Sequence, residues 1–239
     1  MTIIFPMNGK GERFKQAGYT THKHTILLNG TPLLAHALQS YPDSASFYFF
    51  VRPEYREEVE LIVAVSLGKT SYAIYTVPIE TKGPVETLLY GATQVDLKGE
   101  VLLADCDASL NVKELEGALE VFRASGASGG TPIRTTEDPD CSYCLIDHER
   151  WILKTKEKDR YFILNDTDLF SKWSTTGPYW WRDFSQFLDC AVEAQKDGVY
   201  SVSPVFNYLI GRGGKVKGFP VSTFKHFGTP EALKQFTTY

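Results

Sequence analysis

The chain has 239 residues, with 25 Lys+Arg against 29 Asp+Glu for a net charge of −4, and its hydrophobic and charged fractions are 43% and 23%. These proportions belong to a folding domain with a real core and exclude a disordered or fibrous chain. Net acidity, with no Lys/Arg block longer than two residues, also excludes a basic stripe for nucleic acid. No stretch approaches the roughly 20 apolar residues of a membrane span. Ile3-Ile4-Phe5 stops at Pro6 with no basic leader before it, so a cytoplasmic protein is expected. Aromatic residues, at 13%, are the one unusual fraction.

Strand-length apolar runs alternate with segments of helical period. Thr2 to Phe5 reads as a strand, and Pro32 to Ser40 as a helix with Thr31 as its cap and Pro32 at the first helical position. Strands follow at Phe47 to Val51, Ser71 to Val77 and Val101 to Ala104, with helices at Glu54 to Ser66, Pro84 to Val95 and Val112 to Ser125. After Ser128 the pattern changes to short β-like pieces at Gly130 to Arg134, Ser142 to Ile146 and Trp151 to Thr155. Helices at Phe184 to Lys196 and Pro204 to Arg212 and a strand at Val216 to Val221 complete the chain. The expected fold is α/β, a Rossmann-like, mostly parallel sheet flanked by helices with a small antiparallel β extension. One domain over 1–239 is the economical reading, with a nucleotide-binding half at 1–127 and an acceptor-binding half at 128–239. The four cysteines are expected as free thiols, because Cys141 and Cys144 have no second Cys/His pair to complete a zinc site.

The chemistry-bearing residues begin directly after the first strand, in Asn8-Gly9-Lys10-Gly11-Glu12-Arg13. Glycines after a buried strand let backbone N–H groups approach an anion. Position 14 is Phe where a dinucleotide fingerprint needs a third glycine, and no Gly-Lys-Ser/Thr ending marks a Walker loop. Further on, Asp105 and Asp107 close an apolar strand; carboxylates at i and i+2 share a face there and suit a hard divalent cation. They also suit a cap for the next helix. Arg13, as a fork, and Lys23, as a point charge, are the phosphate-binding candidates.

Gly9-x-Gly11-x-Arg13, then Lys23, then Asn29-Gly30-Thr31-Pro32-Leu33-Leu34, resemble in order and spacing the sugar-phosphate and alcohol-phosphate nucleotidyltransferases of the glycosyltransferase-A-like fold. Thr81-Lys82-Gly83-Pro84-Val85-Glu86-Thr87, Asp105-Cys106-Asp107 and Phe227-Gly228-Thr229-Pro230-Glu231 extend the resemblance over most of the chain. His22 stands where the family has Pro, and His226 where it has Asp. The resemblance implies a Mg2+-dependent enzyme that condenses an NTP with a phosphorylated sugar or small alcohol, releasing pyrophosphate, for capsule or surface polysaccharide synthesis. It implies Asn8, Gly9, Gly11, Thr81, Gly83 and Glu86 at the nucleotide, and Asp105, Asp107 and His226 at the metal. Lys158 is implied at the acceptor phosphate, with Lys154 and Lys156 as competitors. Tyr179-Trp180-Trp181 occupies the family's acceptor-facing segment, so Tyr179 and Trp180 are assigned to the acceptor. Expected partners are the NTP and the acceptor, with a homodimer left open. Two other readings stand beside this one: a glycosyltransferase consuming a sugar nucleotide, which shares the Asp-x-Asp motif, and a non-catalytic nucleotide-binding module.

Overall fold

The computed structural model describes residues 1–164 and 167–237. In chain order, the first half holds β1 (Thr2–Met7), α1 (Glu12–Gln16), β2 (Leu27–Leu28), β3 (Thr31–Pro32), α2 (Leu33–Leu38), β4 (Ser46–Val51), α3 (Arg56–Leu67), β5 (Tyr72–Thr76), α4 (Pro84–Ala92), β6 (Val101–Leu103), β7 (Ala108–Ser109) and α5 (Val112–Ala124). The second half holds β8 (Gly129–Thr135), β9 (Ser142–Ile146), β10 (Trp151–Glu157), β11 (Tyr161–Leu164), β12 (Thr167–Phe170), β13 (Trp173–Thr175) and β14 (Tyr179–Trp181). It continues with α6 (Phe184–Lys196), α7 (Val205–Gly211), β15 (Val216–Pro220), β16 (Lys225–His226) and α8 (Pro230–Lys234).

One ten-stranded sheet runs through both halves in the order β13-β9-β10-β15-β8-β14-β6-β1-β4-β5. The expectation of a mostly parallel sheet needs correcting. β1, β4, β5 and β6 are parallel because helical crossovers join them, and β15 pairs parallel with β8, but β14, β10, β9 and β13 all pair antiparallel. The antiparallel part is continuous with the main sheet: β14 lies between β6 and β8 and joins the two halves. β13 also pairs with β8, which curls this end of the sheet back on itself.

Both faces of the sheet are covered. On one, Ile3, Phe5, Phe47, Phe49, Leu102 and Trp180 pack with residues of α2, α3 and α5. On the other, Ile4, Phe50, Leu103, Tyr179 and Trp181 pack with residues of α4, α6 and α7. The period-2 alternation of a strand therefore sends its residues into one core or the other, and consecutive central positions such as Ile3, Ile4 and Phe5 are all apolar. The helix at α2 starts one residue later than expected. Thr31 is not its cap, because Thr31 and Pro32 pair with Leu27 and Leu28 and the helix begins at Leu33. Asn111, through its side chain, caps α5, so the two aspartates before it are free of that duty.

Candidate active site

A cavity of about 740 Å³ opens where β1 and β6 end and where the curled antiparallel strands face them. Arg13, Lys23, Asp105, Asp107 and His226 line one wall, and Arg134, Glu157, Lys158 and Tyr179 line the other. Six of the sequence candidates for catalysis or metal and one for the acceptor thus converge from segments more than 200 residues apart, on the carboxyl ends of parallel strands where α/β folds bind ligands.

The strongest bond within the first wall is between Lys23 Nζ and Asp107 Oδ2, at 2.9 Å, with both side chains mostly buried. Burial alone would lower the Lys23 ammonium, but the charges of Asp107 and Asp105 override it and hold the group protonated. Burial would likewise raise the Asp107 carboxyl, whereas Lys23 and His226 hold it down and ionised. Asp105 differs: burial and the charge of Asp107 push it up to about 7 against the opposing Lys23. Two carboxyl groups share one ammonium here, so negative charge is in excess whenever both are ionised.

Two glycines make room for these acids. Gly177 has φ 54°, in the left-handed region, and a Cβ there would lie 2.6 Å from Asp105 Oδ2. A Cβ on Gly228 would overlap both Asp107 Oδ2 and His226 Nε2. His226 is brought beside Asp107 by the pairing of β16 with β7 and by the Phe227 N–H, which donates to the Asp107 carbonyl at 2.7 Å. Among the described residues no three His, Cys, Asp or Glu side chains form a metal cage by themselves. The donor set nevertheless fits a hard divalent cation, since carboxylate oxygens in charge excess, set in glycine cradles, leave the remaining positions to water and ligand phosphates.

The glycine loop is held from behind. Asn8 is buried and donates to the Ile79 carbonyl at 2.8 Å and to Thr81 Oγ1 at 3.0 Å. Thr81 is bonded in turn to Thr87 Oγ1 at 2.8 Å. Both residues therefore brace the loop against the start of α4 and do not line the cavity. Gly83 lies against the Tyr200 carbonyl, 2.7 Å from where a Cβ would be, so its smallness serves packing. Glu86 accepts from the Lys82 N–H at 2.6 Å and from Gln195 Nε2 at 3.2 Å, reaching back over the start of its own helix. Of this segment, Pro84 reaches the cavity.

On the opposite wall Lys158 lies in the cavity, 3.8 Å from Asp140 Oδ1. Its competitor Lys156 is tied to Asp159 at 2.6 Å and to the Tyr161 carbonyl at 3.0 Å. Neither Lys156 nor Lys154 lines the cavity. Tyr179 does, with its hydroxyl 3.5 Å from Thr175 Oγ1. Trp180 does not. It is 1% exposed on the other face of β14, packed on Phe122, and its Nε1 donates to Glu100. The assignment of Trp180 to the acceptor is corrected on that ground. Adjacent aromatics can all be core when both faces of the strand are covered, and Trp181, stacked on Phe206, is buried too.

Sequence reasoning missed Arg134, Ser142, Glu157 and Thr176 in the cavity lining. Burial raises the Glu157 carboxyl despite the charges of Lys158 and Arg13. Glu157 could have been found from its place beside Lys158; Arg134 carried no local signal.

No family model matches the chain, and no curated protein matches it. Solved structures do match. A nucleoside-diphosphate-sugar pyrophosphorylase from Vibrio cholerae RC9 superposes with a TM-score of 0.80 at 22% identity, covering 98% of both chains. The inositol-1-phosphate CTP transferase from T. maritima gives 0.75 at 16% identity, over 98% of this chain and 95% of that one. UDP-glucose pyrophosphorylase complexed with UDP-glucose gives 0.76 at 14% identity, over 98% and 96%. The chain thus has the fold of these nucleotidyltransferases from end to end.

Proposed function

We propose that the chain is a nucleotidyltransferase that joins an NTP to a phosphorylated sugar or small phosphorylated alcohol. The observation that carries this reading is the meeting of Arg13, Lys23, Asp105 and Asp107 at one end of a cavity whose far wall offers Lys158. Cations suited to a triphosphate face a cation suited to a second phosphate, across a space large enough for both substrates. The fold shared with pyrophosphorylases and a CTP transferase supports the same reading.

In the reaction a phosphate oxygen of the acceptor attacks the α-phosphorus of the NTP. A new P–O bond forms, the bond to the bridging oxygen between α and β breaks, and pyrophosphate leaves with the electron pair. A phosphate monoester is mostly dianionic at neutral pH, so no side chain has to remove a proton. Arg13 binds phosphate oxygens as a fork, and Lys23 shifts its charge from Asp107 toward the developing negative charge. Lys158 holds the acceptor phosphate in line, and Tyr179 with Glu157 borders the rest of the acceptor. Asp105 and Asp107, with His226 beside them, would hold Mg2+, which when bound supplies charge neutralisation and a template for the phosphates. Both halves then act as one domain around the cavity, and the activated product suits surface polysaccharide synthesis.

Incubation with CTP, UTP or dTTP, Mg2+ and a panel of sugar and alcohol phosphates tests the reading. Pyrophosphate release that needs both substrates is expected. No release with any pair, together with turnover of a sugar nucleotide, would favour the glycosyltransferase alternative.

A further inference from the structure

His22, which stands where the resembling family has proline, has a defined task in the fold. Its Nε2 lies 2.8 Å from the Gly9 carbonyl oxygen. A carbonyl only accepts, so the proton of this bond is on Nε2. The ring is buried, which lowers its pKa to about 4; the Gly9 bond opposes this, while the charges of Lys23, Lys15 and Arg52 add to it. At neutral pH the ring is therefore neutral and its Nδ1 carries a lone pair. That Nδ1 faces Nδ1 of His24 at 2.5 Å. His24, also buried and lowered to about 3, must then be the Nδ1–H tautomer. One arrangement of protons satisfies both bonds: His24 donates to His22, and His22 donates to Gly9, with His24 Nε2 left buried and unpaired. Tyr55 covers the His22 ring at 4.0 Å between centroids and meets His24 edge-on at 5.4 Å.

The consequence falls on the loop. The carbonyl of Gly9 and the N–H of Lys10 belong to one planar trans peptide and point in opposite directions. Drawing the carbonyl inward to His22 turns the Lys10 N–H outward, and neither the Gly9 nor the Lys10 N–H has a backbone partner among the described residues. Gly9 is exposed, with open space on its Cβ side, while Gly11 takes φ 68° beside the His22 ring. A flipped peptide would instead aim a carbonyl oxygen at an incoming phosphate.

We propose that His22 is a positioning residue, with His24 setting its tautomer, that holds the glycine loop with its N–H groups turned toward an anionic nucleotide. The proposal rests on reading this loop as the nucleotide site, and two readouts separate the two ideas. His22→Phe keeps a ring against Tyr55 but loses the donor, whereas His22→Gln keeps an N–H at the place of Nε2. Backbone nitrogen-15 order parameters at Gly9 to Gly11 read the loop without any ligand: a fall from about 0.85 to below about 0.6 is expected in H22F, and near wild-type values in H22Q. Calorimetric binding of CTP, UTP and dTTP with Mg2+ should weaken about tenfold in H22F and stay within about threefold in H22Q. Nitrogen-15 spectra of the wild-type imidazoles should show His22 protonated at Nε2 and His24 at Nδ1. Unchanged order parameters and affinity in H22F, or His22 protonated at Nδ1, overturns the proposal. If wild type binds none of the three triphosphates while H22F still frees the loop, the nucleotide reading fails and the positioning of the loop stands.

Discussion

The two walls of the cavity are built differently. On the glycine-loop wall the charged groups are bound to one another: Lys23 to Asp107 at 2.9 Å, and Asp105 and Asp107 in glycine cradles. On the opposite wall the closest contact of Lys158 with an acid is 3.8 Å, to an Asp140 that is itself largely exposed. Under the proposed nucleotidyl transfer, the groups facing the triphosphate are the ones packed against their neighbours, whereas those facing the acceptor stand on strand ends and a loop. On that reading, reaction type and acceptor choice lie on separate walls, which substitution can pull apart.

Asp107→Asn is expected to have the largest effect. It keeps the shape but removes the charge shared by Lys23 and the metal site, and pyrophosphate release should fall by about 10²–10³-fold while far-UV circular dichroism stays native. Arg13→Ala, at an exposed residue, should cost about 10²-fold in kcat with Tm nearly unchanged. Lys158→Ala should instead raise KM for the acceptor about tenfold and leave NTP binding by calorimetry at its wild-type value. If Lys158→Ala weakened NTP binding as much as acceptor binding, the division between the walls would fail.

The aromatic strand β14 gives a sharper contrast within three residues. Trp180→Ala removes a core side chain and should destabilise by about 3–5 kcal/mol in denaturant unfolding, with acceptor KM unchanged in the folded fraction. Tyr179→Phe should do the reverse, raising acceptor KM a few-fold with little loss of stability.

A pH dependence of stability is also expected. His22 and His24 titrate near 6.5 when unfolded but are lowered by burial to about 4 and about 3 when folded. The unfolded chain thus binds more protons in the window between, so their contribution is full above pH 6.5 and is lost as pH falls toward 4. The charges of Lys23, Lys15 and Arg52 add to this at His22 and that of Lys23 at His24, while the bond to the Gly9 carbonyl opposes it at His22, and the acids Glu54 and Glu58 stand beside the pair. Between pH 6 and pH 5 each histidine contributes a slope of up to about 1.4 kcal/mol per pH unit, and the double variant H22Q/H24Q should flatten it.

Much of the first half was legible in the sequence because its signals are local. β1, β4, β6 and α5 fall within a residue or two of the expected bounds, since buried parallel strands read as apolar runs and α5 shows a clean helical face. Among the cavity-lining residues, Arg13 and Lys23 were legible through spacing, and Asp105 and Asp107 through the apolar strand before them, while Gly9 and Gly11 are not among the lining residues. Of the antiparallel part, β8, β9 and β10 fall where short β-like pieces were expected, whereas β13 and β14 were not legible. β13 and β14 are three residues each, too short for a period, and their partners lie in β8, β9 and β6, which no local pattern reveals. Trp180 was misread because its fate depends on what covers the second face of the sheet. Arg134 and Glu157 reach the cavity only through the curl that pairs β13 with β8. His22 shows the same limit in reverse: its departure from the family's proline was visible, but its bond to Gly9 is a fact of the folded loop.

The central claim is attack at the α-phosphorus across these two walls, and phosphorus-31 NMR of a single reaction with the preferred NTP and acceptor tests it most directly. The account predicts that the α-phosphorus and the acceptor phosphorus appear as coupled partners in one new diphosphate while the β and γ phosphorus atoms leave together as pyrophosphate. Formation of a nucleoside diphosphate with inorganic phosphate or a phosphorylated acceptor, and no new diphosphate linkage to the α-phosphorus, would contradict it.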